Sequence, residues 1–333
     1  MRAVVLMPFL GFLWVAPGPD APEQGPRLAT TAPGCADCHH EIHEEWRLSR
    51  HATAFTDATY QSALKGLEAP ERCHGCHAPV PVLARFGRPP RARAEDAHEG
   101  ITCASCHATR RGIAGPFGAP TDAHESENHP AFSEKGSVHL CSSCHDLRIG
   151  PVLPLGRDFR DADLESRGKS CVGCHMPSVR RAIAFDPDTG RATGPERRGR
   201  SHALRGPSDP EFAASAFKIV ARPDGDRIEL SVGNRAGHRV PGLETRQFRF
   251  ELVQRDAGGA EVARHAMTFD AENPLRAAET RRFRYPKSDR TVRVEIIGSH
   301  VHGREPSTIF ETLDVLLRDR DPVPASAPTR KPR

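Results

Sequence analysis

Five times the chain places two cysteines one helical turn apart with a histidine directly after the second. The motifs are Cys35-Ala-Asp-Cys38-His39, Cys73-His-Gly-Cys76-His77, Cys103-Ala-Ser-Cys106-His107, Cys141-Ser-Ser-Cys144-His145 and Cys171-Val-Gly-Cys174-His175. Together they use all 10 cysteines. Two thiols at this spacing add to the two vinyl groups of a porphyrin, and the adjacent imidazole then lies beneath the ring as the proximal iron ligand. The pattern predicts five covalently attached haems c, with His39, His77, His107, His145 and His175 on the irons. Zinc sites have no use for a histidine after each pair, and five pairs do not divide into four-ligand sites. With 18 His in 333 residues, chance would place one after all five pairs about once in a million. Disulfides are disfavoured because each pair is too close in sequence to staple distant loops.

The start of the chain reads as a secretory signal. Met1-Arg2 precedes an apolar run from Ala3 to Ala16, with small residues at Ala16 and Gly18 for cleavage. The run is short for a membrane span, and no other segment approaches spanning length. Attachment of haem c takes place outside the cytoplasm, so both features predict a periplasmic or otherwise extracytoplasmic protein. Peripheral association with a membrane is compatible with this. The formal charge is +4, yet haem propionates would add about two negative charges per haem. Arginine-rich stretches at Arg85–Arg93 and Arg191–Arg205 therefore read as propionate partners or solvated surface. Without stacking aromatics beside them they are no nucleic-acid footprint.

The motifs begin at 35, 73, 103, 141 and 171, giving intervals that alternate 38, 30, 38, 30. A repeating unit with two attachment motifs would produce this, and Gly100-Ile-Thr102-Cys103 recurs as Gly168-Lys-Ser170-Cys171. A helix is expected from about His39 to Thr56, where Ile42, Trp46 and Phe55 form a partial apolar stripe; elsewhere prolines keep helices short. After about Arg205 the character changes. Phe217–Ala221, Arg227–Val232, Gln247–Gln254, Glu261–Thr268, Thr280–Tyr285 and Thr291–Ile297 are short alternating runs separated by turn sequences. The expected fold is α+β with two domains: a loop-rich, mainly α haem domain at 33–206, then an antiparallel β-sandwich at 207–320. A signal peptide at 1–18, a linker at 19–32 and a disordered tail at 321–333 complete the division.

Thirteen histidines remain after the five proximal ones. An iron that only passes electrons needs a sixth ligand, whereas an open position binds a small molecule. The candidate distal ligands are His51, His98, His124, His129, His202 and His238, the last on a Gly/Pro loop of the β half suited to reaching across the interface. His40, His43, His74 and His139 lie too close to the motifs to reach an opposite ring face easily. His265, His300 and His302 belong to β-half strands or loops. With four Met in the chain, two of them in the signal region, bis-His ligation should dominate.

These residues resemble the periplasmic multihaem c-type cytochromes that include the pentahaem nitrite reductases, the hydroxylamine oxidoreductases and their tetrahaem carriers. The likeness rests on the Cys35–His39 motif followed by Trp46 and Ser49-Arg-His-Ala-Thr-Ala54, on Glu99-Gly-Ile-Thr-Cys103, on Cys171–Pro177 and on Ser201-His202…Gly206, and covers residues 33–206. It implies that His51, His98 and His202 are distal ligands, each of a haem other than its nearest in sequence. The β half is similar to a C-terminal module of electron-carrying members with a Gly-His-x-x-Pro-Gly-like loop. Two features depart from the enzymes of the group. No CxxCK motif is present, and the two tyrosines, Tyr60 and Tyr285, have no matching context near a motif.

The leading expectation is an electron carrier between extracytoplasmic redox proteins, without a catalytic residue. The alternatives are a haem oxidoreductase acting on a small nitrogen or sulfur compound at one five-coordinate iron, and a structural, filament-forming cytochrome.

Overall fold

The computed structural model describes residues 31–302 and 308–317. The expected signal peptide and tail, and nearly all of the linker, lie outside the described residues.

Every attachment motif sits in a helix, and four of these helices end on the motif histidine. The motif helices are α1 (Ala32–Arg47), α3 (Glu71–His77), α4 (Cys103–His107), α5 (Glu134–His145) and α7 (Cys171–His175), with α2 (Ala58–Leu64), α6 (Leu155–Asp161) and α8 (Pro210–Ser215) between and after them. Side chains of the preceding residues start several of them. Thr102 and Ser105 form a reciprocal capping box on α4, and Ser170 Oγ accepts the Gly173 amide on α7. The sequence repeat is thus realised in the backbone: Gly100 and Gly168 both take positive φ, 66° and 68°, and turn the chain into these two caps.

The expected helix from His39 to Thr56 is displaced. It begins before the motif at Ala32, kinks at His39 (φ −108°, ψ 38°) and ends at Arg47. Ser49 stops it, because its Oγ accepts the amides of His51 and Ala52 and so supplies a local alternative to helical bonding. Two small sheets were not anticipated: parallel β1 (Ile113–Gly115) and β2 (Ser126–Asn128), and antiparallel β3 (Ser178–Arg181) and β4 (Arg197–Arg200).

Buried apolar residues of this half are mostly alanine and scattered, with Leu83, Ala114 and Ala131 forming a small cluster. The second half is different. Strands β5 (Phe217–Asp224), β6 (Arg227–Asn234), β7 (Arg246–Arg255), β8 (Glu261–Phe269), β9 (Thr280–Pro286), β10 (Arg293–His302) and β11 (Thr308–Leu316) pair antiparallel in the orders β5-β6-β9 and β11-β10-β7-β8. The six expected runs coincide with strands, each observed strand being longer, except that Thr291 and Val292 precede β10, and β11 is additional. Residues from both sheets, among them Ile228, Leu230, Phe248, Phe250, Leu252, Ile296 and Phe310, share one apolar core. Each such side chain contributes about 1.5–3 kcal/mol on burial.

The halves are tied at the loop between β6 and β7. A Cβ at Gly237 would stand 2.6 Å from the Phe159 ring, and one at Gly242 would stand 2.7 Å from Leu155. At Gly237 the ring leaves no room for a side chain, whereas at Gly242 the movable end of Leu155 would have to give way. Arg239 clamps the loop there with two bonds to Asp158, at 2.5 and 2.7 Å.

Candidate haem sites

Four of the five motif imidazoles are oriented in one way. Nδ1 of His39, His77, His107 and His175 faces the carbonyl oxygens of Ile183, Ala54, Ala114 and Arg205 at 2.6–2.7 Å. A carbonyl can only accept, so Nδ1 carries the proton and the Nε2 lone pair is left for a metal. No disulfide joins any two of the ten cysteines.

Three further histidines face motif histidines. The ring centres of His51 and His145 are 6.3 Å apart with planes 22° from parallel. His202 and His107 are 6.1 Å apart, and His238 and His175 are 6.3 Å apart. A metal lies about 2 Å from an imidazole nitrogen, itself about 1 Å from its ring centre, so two imidazoles on opposite sides of one ion have centres about 6 Å apart. Nδ1 of His202 and His238 again donates to carbonyls, those of Arg200 and Arg239. Burial, with His145 and His175 nearby, lowers His51 to about 3; burial, then His175, His238 and His77, lowers His145 to about 4. Burial and His107 lower His202 to about 4. Each is neutral near pH 7, the form that ligates.

The chain holds these three in place. Gly100 lies on the backbone of His51, whose carbonyl accepts the Ile101 amide at 2.9 Å. Glu45 of α1 accepts the His202 amide at 2.7 Å and a two-point bond from Arg181, at 2.9 Å each. Burial opposes the charge of Glu45, but Arg181 and the His202 amide hold its carboxyl below the usual range. The loop clamped by Arg239 carries His238.

The other expected distal ligands are placed differently. His98 is exposed. His124 shares its Nδ1 with the Ser126 hydroxyl at 3.1 Å. His129 Nδ1 accepts the Ala131 amide at 3.1 Å, which puts the proton of the neutral ring on Nε2 and makes that atom a donor, not a ligand. Among the described residues, none of these three rings contacts a motif histidine.

Tyr60 corrects an expectation. The sequence offers no motif context for it, yet α2 stacks its ring on His77 at 3.7 Å and 5°. Its hydroxyl and the Nε2 of His74 are buried without hydrogen-bond partners. Only the fold of the 48–64 segment reveals this neighbour.

Cysteines from different motifs also meet. The thiol of Cys35 lies beside that of Cys103, Cys76 beside Cys144 and Cys141 beside Cys171, while Cys106 lies close enough to Cys141 and Cys144 to interact with both. The attachment sequences therefore run first, third, fourth, with the second and fifth branching from the fourth. The sparse alanine-rich interior, the paired cysteines, the protonated Nδ1 positions and the orphaned polar atoms fit haem c.

The family described as Cytochrome c554 and c-prime matches residues 34–108. No curated protein matches. Among solved structures, the penta-heme cytochrome c552 from Thermochromatium tepidum is similar with a TM-score of 0.63 and 16% identity, over 85% of this chain and 97% of that one. The hypothetical protein PH1083 from Pyrococcus horikoshii OT3 and an oxidised superoxide reductase each overlap 31% of this chain and 88% of their own. Their identities are 17% and 14%, and at a TM-score of 0.21 neither carries an argument. Attachment motifs, ligand-ready imidazoles, the family match and the shared fold together make this chain a multihaem c-type cytochrome that binds haem c covalently.

Proposed function

We propose that this protein relays electrons between redox proteins outside the cytoplasm through five haems c, one on each cysteine pair. His39, His77, His107, His145 and His175 are the proximal ligands, and His51, His202 and His238 are distal to His145, His107 and His175. The observation that carries this reading is the set of three histidine pairs at 6.1–6.3 Å. Haem c, when bound, supplies one-electron exchange between ferric and ferrous iron. The chain's contribution is to fix two imidazoles at each of three of the motif histidines, which would hold the iron with little rearrangement on electron transfer, and to bring motif against motif. Residues 33–206 form the haem domain and 207–320 a β-sandwich whose loop delivers His238. In a reductive titration the holoprotein should take up five electron equivalents without turning over nitrite, hydroxylamine or sulfite; sustained turnover would overturn the carrier reading.

A second reading is favoured at His77. Among the described residues no histidine ring faces it or His39, and beside His77 the Tyr60 hydroxyl and His74 Nε2 are buried without partners. Such surroundings suit an open sixth position for a small nitrogen or sulfur compound. Carbon monoxide should then bind ferrous protein at the His77 site, and a Tyr60→Phe variant should change the off-rate there. No carbon monoxide complex would remove this reading.

A further inference from the structure

Beside the third motif lies an open groove of about 390 Å³. Arg85, Arg88, Arg110 and Arg111 line it, against a single carboxylate, Glu127. Glu127 accepts from the Thr109 hydroxyl and from Arg111 at 2.7 Å, and these, Thr109 foremost, hold it below the usual carboxylate range against its burial. Arg111 remains 84% exposed, and Arg88 is exposed as well. His129 opens onto the same groove with its Nε2 as donor, for the reason given above. Phe86, 45% exposed, adds an apolar contact at the margin. The groove thus offers a surplus of cationic donors around one exposed aromatic ring, the composition that meets acidic protein surfaces.

Its position relates it to electron transfer. Leu83 in its floor packs with Ala114, whose carbonyl accepts the bond from His107 Nδ1. Thr109 through Arg111 form the turn that returns the chain to that carbonyl, closed by the Thr109 amide on Gly112 at 2.8 Å. A partner seated here would be one layer of side chains from the third proximal histidine.

We propose that this groove is the docking surface for an acidic redox protein, which exchanges electrons with the chain at the third motif. The proposal rests on the carrier reading. No bond is made or broken: a donor loses one electron and one ferric iron of this protein becomes ferrous.

The test uses holoprotein and an acidic flavodoxin, fully reduced, as donor, with photoreduced neutral lumiflavin as the non-docking control, followed by stopped-flow and flash absorbance. Arg88→Glu/Arg111→Glu should slow reduction by flavodoxin about 10-fold or more and flatten its dependence on ionic strength. Reduction by lumiflavin should not change. Arg227→Glu, at the start of β6, should leave both rates as they were. Equal flavodoxin rates in the double variant would overturn the proposal. So would inhibition of the wild type by submillimolar phosphate at fixed ionic strength, which would mark a small-oxyanion site. A changed haem midpoint potential in Arg88→Glu would assign the arginines to propionates and overturn it too. Failure of lumiflavin to reduce the wild type would instead strike at the carrier reading itself.

Discussion

The imidazole of His238, on a loop between β-strands, faces that of His175 in the last attachment helix across 6.3 Å with planes 14° apart. One half of the chain thereby sets an imidazole against a motif histidine of the other. The Nδ1 of each donates to a carbonyl, of Arg239 and of Arg205, so both lone pairs are free to point at one ion.

His238→Ala should convert one haem from low to high spin and leave the others unchanged. Electron paramagnetic resonance of ferric protein reads this directly, and exogenous imidazole should restore the low-spin signal. An unaltered spectrum would remove His238 from the ligand set.

The clamp on that loop gives a separate expectation. Arg239→Ala removes a partly buried two-point bond to Asp158 and should cost about 1–3 kcal/mol. Arg239→Lys should recover only part of it, because an ammonium cannot make the planar pair. Chemical denaturation would measure the loss, and a partial rise in high-spin signal would show that His238 has loosened with the loop.

Gly100→Ala should be far worse than Gly87→Ala. Both glycines have positive φ, 66° and 80°, but a Cβ at Gly100 would stand 2.4 Å from the His51 carbonyl oxygen while at Gly87 nothing lies within 4 Å. Strain alone costs about 1 kcal/mol; with the collision the total reaches about 2–4 kcal/mol. The haem at His145 should also lose its low-spin signature in Gly100→Ala alone. Equal stability of the two variants would contradict the placement of His51.

His300 predicts acid sensitivity of the β half. It is 3% exposed, and burial, followed by Arg246, His302 and Arg50, lowers it to about 4. A histidine depressed in the folded state stabilises the fold fully above its unfolded value near 6.5, and loses that contribution as pH falls through 4. Stability should therefore decline from pH 6.5 towards 4. His300→Phe, which keeps the packing on Phe248, should flatten the decline measured by thermal melts across that window.

The attachment chemistry was legible in the sequence because it is local: cysteine spacing and the adjacent histidine occupy one helical turn. The strands were legible for the same reason, since alternation in Gln247–Gln254 and Thr280–Tyr285 reflects one buried face. What joins distant segments was not. His51, His202 and His238 could be named as candidates, but their partners depend on the Ser49 turn, the Glu45–Arg181 bond and the α6 clamp. His129 looked equivalent to them until the Ala131 amide fixed its tautomer. Tyr60 carries no motif at all, and only the packing of α2 places it on His77.

Intact-mass spectrometry of denatured, purified holoprotein, paired with pyridine haemochrome absorbance, bears most directly on the central claim. The expected result is the mature polypeptide plus five haems retained through denaturation, with one haem lost from each variant in which a single cysteine pair is replaced by serine. A mass equal to the bare polypeptide, or haem released on denaturation, would contradict it.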